Sequence, residues 1–137
     1  MQSVRKLVAC SALAVMPLLA PLPAGAVTEA NFAVETTGDL VALCSADPKA
    51  PLGTAALNFC HGFVAGAVRV QQANDAARRP TPLFCLPSPP PSRDAAINEF
   101  VEWAKAEPAR LEQRPFESMF RFLAQKHPCP AAKGRGR

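Results

Sequence analysis

The chain has 137 residues, 49% of them hydrophobic, with 15 Lys and Arg against 11 Asp and Glu for a formal net charge of +4. That length makes one domain, and the charge excludes a basic nucleic-acid surface because it sits at the two ends: Arg5 and Lys6 open the chain, and Lys133, Arg135 and Arg137 close it. With no tyrosine, two histidines and five cysteines, the side chains that carry most nucleophilic and acid–base chemistry are scarce.

The first element is a targeting segment. Arg5 and Lys6 precede the apolar run "LVACSALAVMPLLAPLPA", which ends in the small residues Ala24-Gly25-Ala26; this is the pattern of a secretory signal peptide over residues 1–26, cleaved after Ala26. Pro17, Pro21 and Pro23 break the run as a membrane-spanning helix. "LVAC" at Leu7–Cys10 has the form of a lipoprotein processing box but sits too early, with almost no apolar segment between it and Lys6. The expected mature protein is soluble and periplasmic, a helical domain over residues 27–130 followed by a basic tail, 131–137, with nothing to bury.

Four helical patterns follow, separated by proline clusters, and none of the sequence alternates as a strand does. Thr36 or Thr37 caps a first helix through "GDLVALC", with Asp39 placed for a capping box and Leu40, Leu43 and Cys44 on one face. The second begins near Gly53 or Thr54. Its predicted stripe is Leu52, Ala56, Phe59, Phe63, Gly66 and Val70, and it ends within "QQANDAARRPTP", where Pro80 and Pro82 forbid continuation. "LFCLPSPPPS" reads as a stiff extended connector. Ser92 caps a third helix with Ile97, Phe100, Val101 and Ala104 facing inward and Trp103 flanking them, interrupted at Pro108. Pro115 opens a fourth, with Phe116, Met119, Phe120 and Leu123 as its apolar face, and Pro128 stops it. The predicted fold is all-α, a small bundle of four or so short helices.

Removal of residues 1–26 takes Cys10 with it and leaves Cys44, Cys60, Cys85 and Cys129, an even set that reads as two disulfides in an exported chain. Four cysteines allow three pairings; an antiparallel hairpin of the first two helices favours Cys44 with Cys60, and the placement of the other two beside the last two helices favours Cys85 with Cys129. Oxidation removes the thiolate that a Cys60-His61 nucleophile would need. Leu57 stands where C-x-x-C-H haem attachment requires a cysteine, and the cysteine spacings lack the paired ligands of a zinc site. Neither a catalytic group, nor a metal, nor a cofactor is expected, and Glu99, Glu102, Glu107 and Glu112 read as solvated helix faces.

The stretch "NFCHGFVAGAV", Asn58–Val68, contains two glycines one turn apart, Gly62 and Gly66. Each costs about 1 kcal/mol relative to alanine in a helix, so a close neighbour is expected there: another helix of the same bundle, or the twofold partner of a homodimer.

The landmarks "GDLVALC", "CHGFVAGAV", "FCLP", "AEPARL" and "HPCP" occur in an order that resembles the Rap/Tai family of type VI secretion immunity proteins. The resemblance rests on Cys60, Gly62, Phe63, Val64 and Gly66, on Phe84, Cys85 and Pro87, and on Pro128 and Cys129. Arg69 stands where that family usually has an acidic residue, and Phe63 where tyrosine is common. The resemblance implies a small helical periplasmic inhibitor, often dimeric, that binds and blocks a peptidoglycan amidase and has no catalytic residues. The polar loop expected from Gln71 to Leu83, with Gln71, Asn74, Asp75, Arg78 and Arg79, is the expected partner contact. The competing expectation is a periplasmic helical binding or chaperone-like module without a toxin partner.

Overall fold

A computed structural model describes residues 26–78 and 81–130 of the protein. The expected signal peptide, apart from Ala26, and the tail 131–137 lie outside the described residues, as does Arg79. Among the described residues all regular structure is helical: a short 3-10 helix, Glu29–Ala33, then α1 (Thr37–Cys44), α2 (Gly53–Arg78), α3 (Arg93–Lys105), α4 (Pro108–Leu111) and α5 (Pro115–Lys126).

Thr36 is the N-cap of α1, its hydroxyl accepting from the Asp39 N–H while Asp39 accepts from the Thr36 N–H, the reciprocal capping box. Inside the first turn, Thr37 is completely buried, and both its N–H and its hydroxyl donate to the Gln113 carbonyl, at 2.7 and 2.9 Å. A buried hydroxyl without such a partner would be costly; here the pair fastens the start of α1 to the turn before α5. Leu40 and Leu43 are fully buried, and α1 is the central element, packed against α2, α3, α4 and α5.

The first disulfide joins Cys44 at the end of α1 to Cys60 in α2; the second joins Cys85 in the proline-rich connector to Cys129 after α5. Closing loops of 16 and 44 residues restricts the unfolded chain by about 3 and about 4 kcal/mol respectively in the loop-entropy account. Beside the second, the Cys85 N–H donates to the His127 carbonyl at 2.8 Å, so the connector is held to the end of α5 twice.

In α3, Ile97, Phe100, Val101 and Ala104 are all buried and the Ser92 hydroxyl caps the Ala95 N–H. Pro108 does more than interrupt: it is the first residue of the one-turn helix α4, where its missing N–H has no intrahelical bond to lose. Two expected faces are corrected. In α5 the inward residues are Ser118, Met119, Phe122 and Leu123, while Phe116 is 50% exposed; the Ser118 hydroxyl reaches Gln113 Oε1 at 3.2 Å, which turns that side of the helix inward. In α2 the buried residues are Gly53, Ala56, Cys60 and Ala67, whereas Phe59 is 37% and Val70 62% exposed. The disulfide at Cys60 fixes which side of α2 meets α1, and that side lies one position beyond the expected stripe.

Candidate functional site

The 26 residues of α2 make a rod about 39 Å long at the usual rise per residue. One face carries the core residues Ala56, Cys60 and Ala67. A second carries Phe59, Phe63, Gly66 and Val70, and here the aromatic side chains run on from one element to the next. Phe32, from the 3-10 helix, meets Phe59 edge-on at 5.5 Å between centroids; Phe59 stacks on Phe63 at 6.2 Å, and Phe63 on Phe116 of α5 at 4.8 Å. Phe116, Phe120 and Phe84 continue the row at 6.3 Å steps. A hollow of about 310 Å³ lies beside it between α2 and α5, with Val70, Phe116 and Phe120 among its walls.

Gly62 and Gly66 are exposed beside this row, and a Cβ built on either meets nothing within 4 Å. Among the described residues the expected close approach of another helix of the same bundle is therefore absent. The two glycines instead leave a shallow strip of bare backbone along an apolar face. A contrast is Gly53, where a Cβ would lie 1.7 Å from the Asp47 carbonyl oxygen; that glycine is demanded by the fold itself.

The third face of α2 borders a larger cavity, about 380 Å³, walled by Val64 and Val68 of α2, Leu86 and the prolines of the connector, Ile97 and Phe100 of α3, and Met119 and Phe122 of α5. Arg69 and Arg93 also line it.

The family model of Rap1a immunity proteins matches residues 36–129, from the N-cap of α1 to the second cysteine of the last disulfide. This chain belongs to the Rap1a immunity protein family. No curated protein and no solved structure matches it.

The expected partner loop of this Rap1a-family chain is corrected. Gln71, Asn74, Asp75 and Arg78 are not in a loop but in the last two turns of α2. Gln71 and Asn74 form the polar rim of the hollow beside Val70, and Asp75 accepts from the Gln71 side chain at 2.8 Å and from the Leu83 N–H at 3.4 Å, tying the helix end to the returning chain. The proline signals that suggested a loop act only after Arg78. The reactive-looking residues are absorbed structurally: both sulfurs of each disulfide are committed, His61 Nε2 lies 3.4 Å from Asp94, and His127 ends α5. Glu99 pairs with Lys126 at 3.2 Å and Glu107 with Arg110 at 2.8 Å. Among the described residues no group of three or more His, Cys, Asp or Glu could hold a metal ion, and no helix is long and apolar enough to cross a membrane.

Sequence reasoning missed the partly exposed aromatic row and the arginine-lined cavity. The first had a signal: α2 has apolar residues at 59, 63, 66 and 70 as well as at 56, 60, 64 and 67, two stripes where a helix with one packed face needs one. The second had none, because its walls come from four separated segments.

Proposed function

We propose that this chain is an exported immunity protein that binds a peptidoglycan amidase delivered by type VI secretion and covers its active cleft. The observation that carries the reading is that a member of an immunity family keeps an apolar face partly uncovered on its longest helix, with Phe59 and Val70 exposed, two glycines along it and the polar rim of Gln71 and Asn74 at its end. The exposed parts of Phe59 and Phe116 supply contact area at small entropic cost, as aromatic anchors of protein interfaces do, and bare backbone at Gly62 and Gly66 lets a partner element approach closely. Inhibition by coverage needs no catalytic group. The amidase as target and the periplasm as location rest on the resemblance set out above and on the signal-like residues 1–26, since a guard against a wall enzyme works where the wall is.

The test is protection in a wall-hydrolysis assay. The amidase encoded beside this chain should lose its activity on purified peptidoglycan when stoichiometric exported protein is added. Undiminished hydrolysis sinks the reading. The twofold partner expected as an alternative neighbour of Gly62 and Gly66 competes for the same face, and sedimentation of the protein alone separates the two: a monomer that becomes a one-to-one complex with the amidase supports the effector as occupant, and a stable dimer assigns the face to a second copy.

A further inference from the structure

The cavity on the opposite flank of α2 stands apart from that face. Native interiors are packed as densely as organic crystals, with few voids larger than a water molecule. A space of about 380 Å³ is of the size used to bind small molecules; at roughly 30 Å³ each, it takes about a dozen water-sized groups. Its existence follows from the chain. The connector supplies proline rings instead of long side chains, and the facing helix positions Ala65 and Ala96 are too small to fill the gap. The floor reaches core residues: Ile97, Phe100, Met119 and Phe122 are each at most 5% exposed, so an occupant rests on apolar core surface.

The polar side chains at this cavity are the neutral Gln72 and two arginines, so its charged groups are of one sign. Arg69 and Arg93 line it, and among the described residues no carboxylate does. Neither arginine is in an ion pair with a described residue, and Asp94, the nearest acid in sequence to Arg93, lies against His61 at 3.4 Å. Guanidinium groups recognise carboxylates by paired, charge-assisted hydrogen bonds. We infer that this cavity binds a medium-chain amphipathic carboxylate, an alkyl chain of about ten carbons in the apolar space with its head group on Arg69 and Arg93.

The protein contains its own reporter. Its single tryptophan, Trp103, stacks with Phe100 at 6.3 Å and meets Phe122 at a tilt at 5.8 Å, and both phenylalanines line the cavity. Decanoate, titrated below its micelle concentration into the disulfide-bonded protein, should change Trp103 emission saturably with one site. Decanol and acetate should each bind at least tenfold more weakly. The double variant Arg69→Ala/Arg93→Ala should lose about tenfold or more in decanoate affinity, and Ala96→Leu, which fills the space from an incompletely buried position, should abolish binding while melting as a folded protein. Val70→Asp, on the effector face, should bind decanoate as the wild type does, so failure of the amidase reading and failure of this one are told apart. The proposal is overturned by the absence of saturable binding, by equal affinity for decanol and decanoate, or by a double variant within twofold of the wild type.

Discussion

Three glycines of α2 separate the demands of folding from those of binding. At Gly53 an added methyl group would run into the Asp47 carbonyl, and because backbone has to move, Gly53→Ala should cost about 1–3 kcal/mol, read as a lowered denaturation midpoint. At Gly62 and Gly66 the same change meets open space, and alanine removes the unfolded-state freedom of glycine and favours helix. Each substitution should stabilise by roughly 0.5–1 kcal/mol, several degrees in Tm for a domain of this size. If the bare strip serves a partner, those stabilised variants should also bind the amidase more weakly, the usual exchange of stability for function. A calorimetric scan beside a binding titration reads both effects. Asp39 gives a residue-scale test by pH. Burial pulls its carboxyl upward, but hydrogen bonds from Asn31, from the N–H and hydroxyl of Thr36 and from the Glu35 backbone outweigh that and hold it below its ordinary value. A lowered folded pKa stabilises above the unfolded value and loses that contribution as pH falls through the folded one. Asp39→Ala should therefore cost about 1 kcal/mol at neutral pH, as lost caps do, and the gap between wild type and variant should close as melts are taken below about pH 3.9.

At the scale of elements, local chemistry predicted most of what formed. The cap at Thr36, the start at Gly53, the cap at Ser92 and the proline at Pro115 are signals within one turn of chain, and each depends on backbone groups a few residues away. The inward faces of α2 and α5 were harder, since both helices have more apolar positions than one stripe requires. In α2 the Cys44–Cys60 bond decides the rotation, and in α5 the Ser118 and Gln113 contact does; each is a tertiary partner that periodicity alone does not register. The third helix, with a single apolar stripe at 97, 100, 101 and 104, left no choice and is buried as its spacing predicts. The polar end of α2 misled for a related reason. "QQANDAAR" contains good helix formers, and Asp75 accepts both from Gln71 one turn earlier and from Leu83, so the helix outlasts its apolar stripe and gives the aromatic face its polar rim.

For the whole molecule, the two cross-links join the outer segments to the core: one fixes α2 to α1, the other fixes the proline-rich connector to the end of α5. Reducing the second by Cys85→Ala/Cys129→Ala should lower stability by about 4 kcal/mol, and it should loosen the connector that walls the cavity, so decanoate affinity falls with it while the face of α2 around Gly66 stays formed. The all-α class was legible because no segment competed as a strand. The candidate sites were not, since both are assembled from residues whose common neighbourhood only the packed chain creates. The most direct measurement of the central claim is calorimetric titration of the disulfide-bonded protein, wild type and Val70→Asp, with the peptidoglycan amidase encoded beside it. Val70 is 62% exposed on the aromatic face, so the variant should melt as the wild type does; the wild type should bind in the nanomolar range and the variant about a hundredfold more weakly. Equal affinity of the two proteins, or no binding by the wild type, would contradict the assignment of that face to an effector.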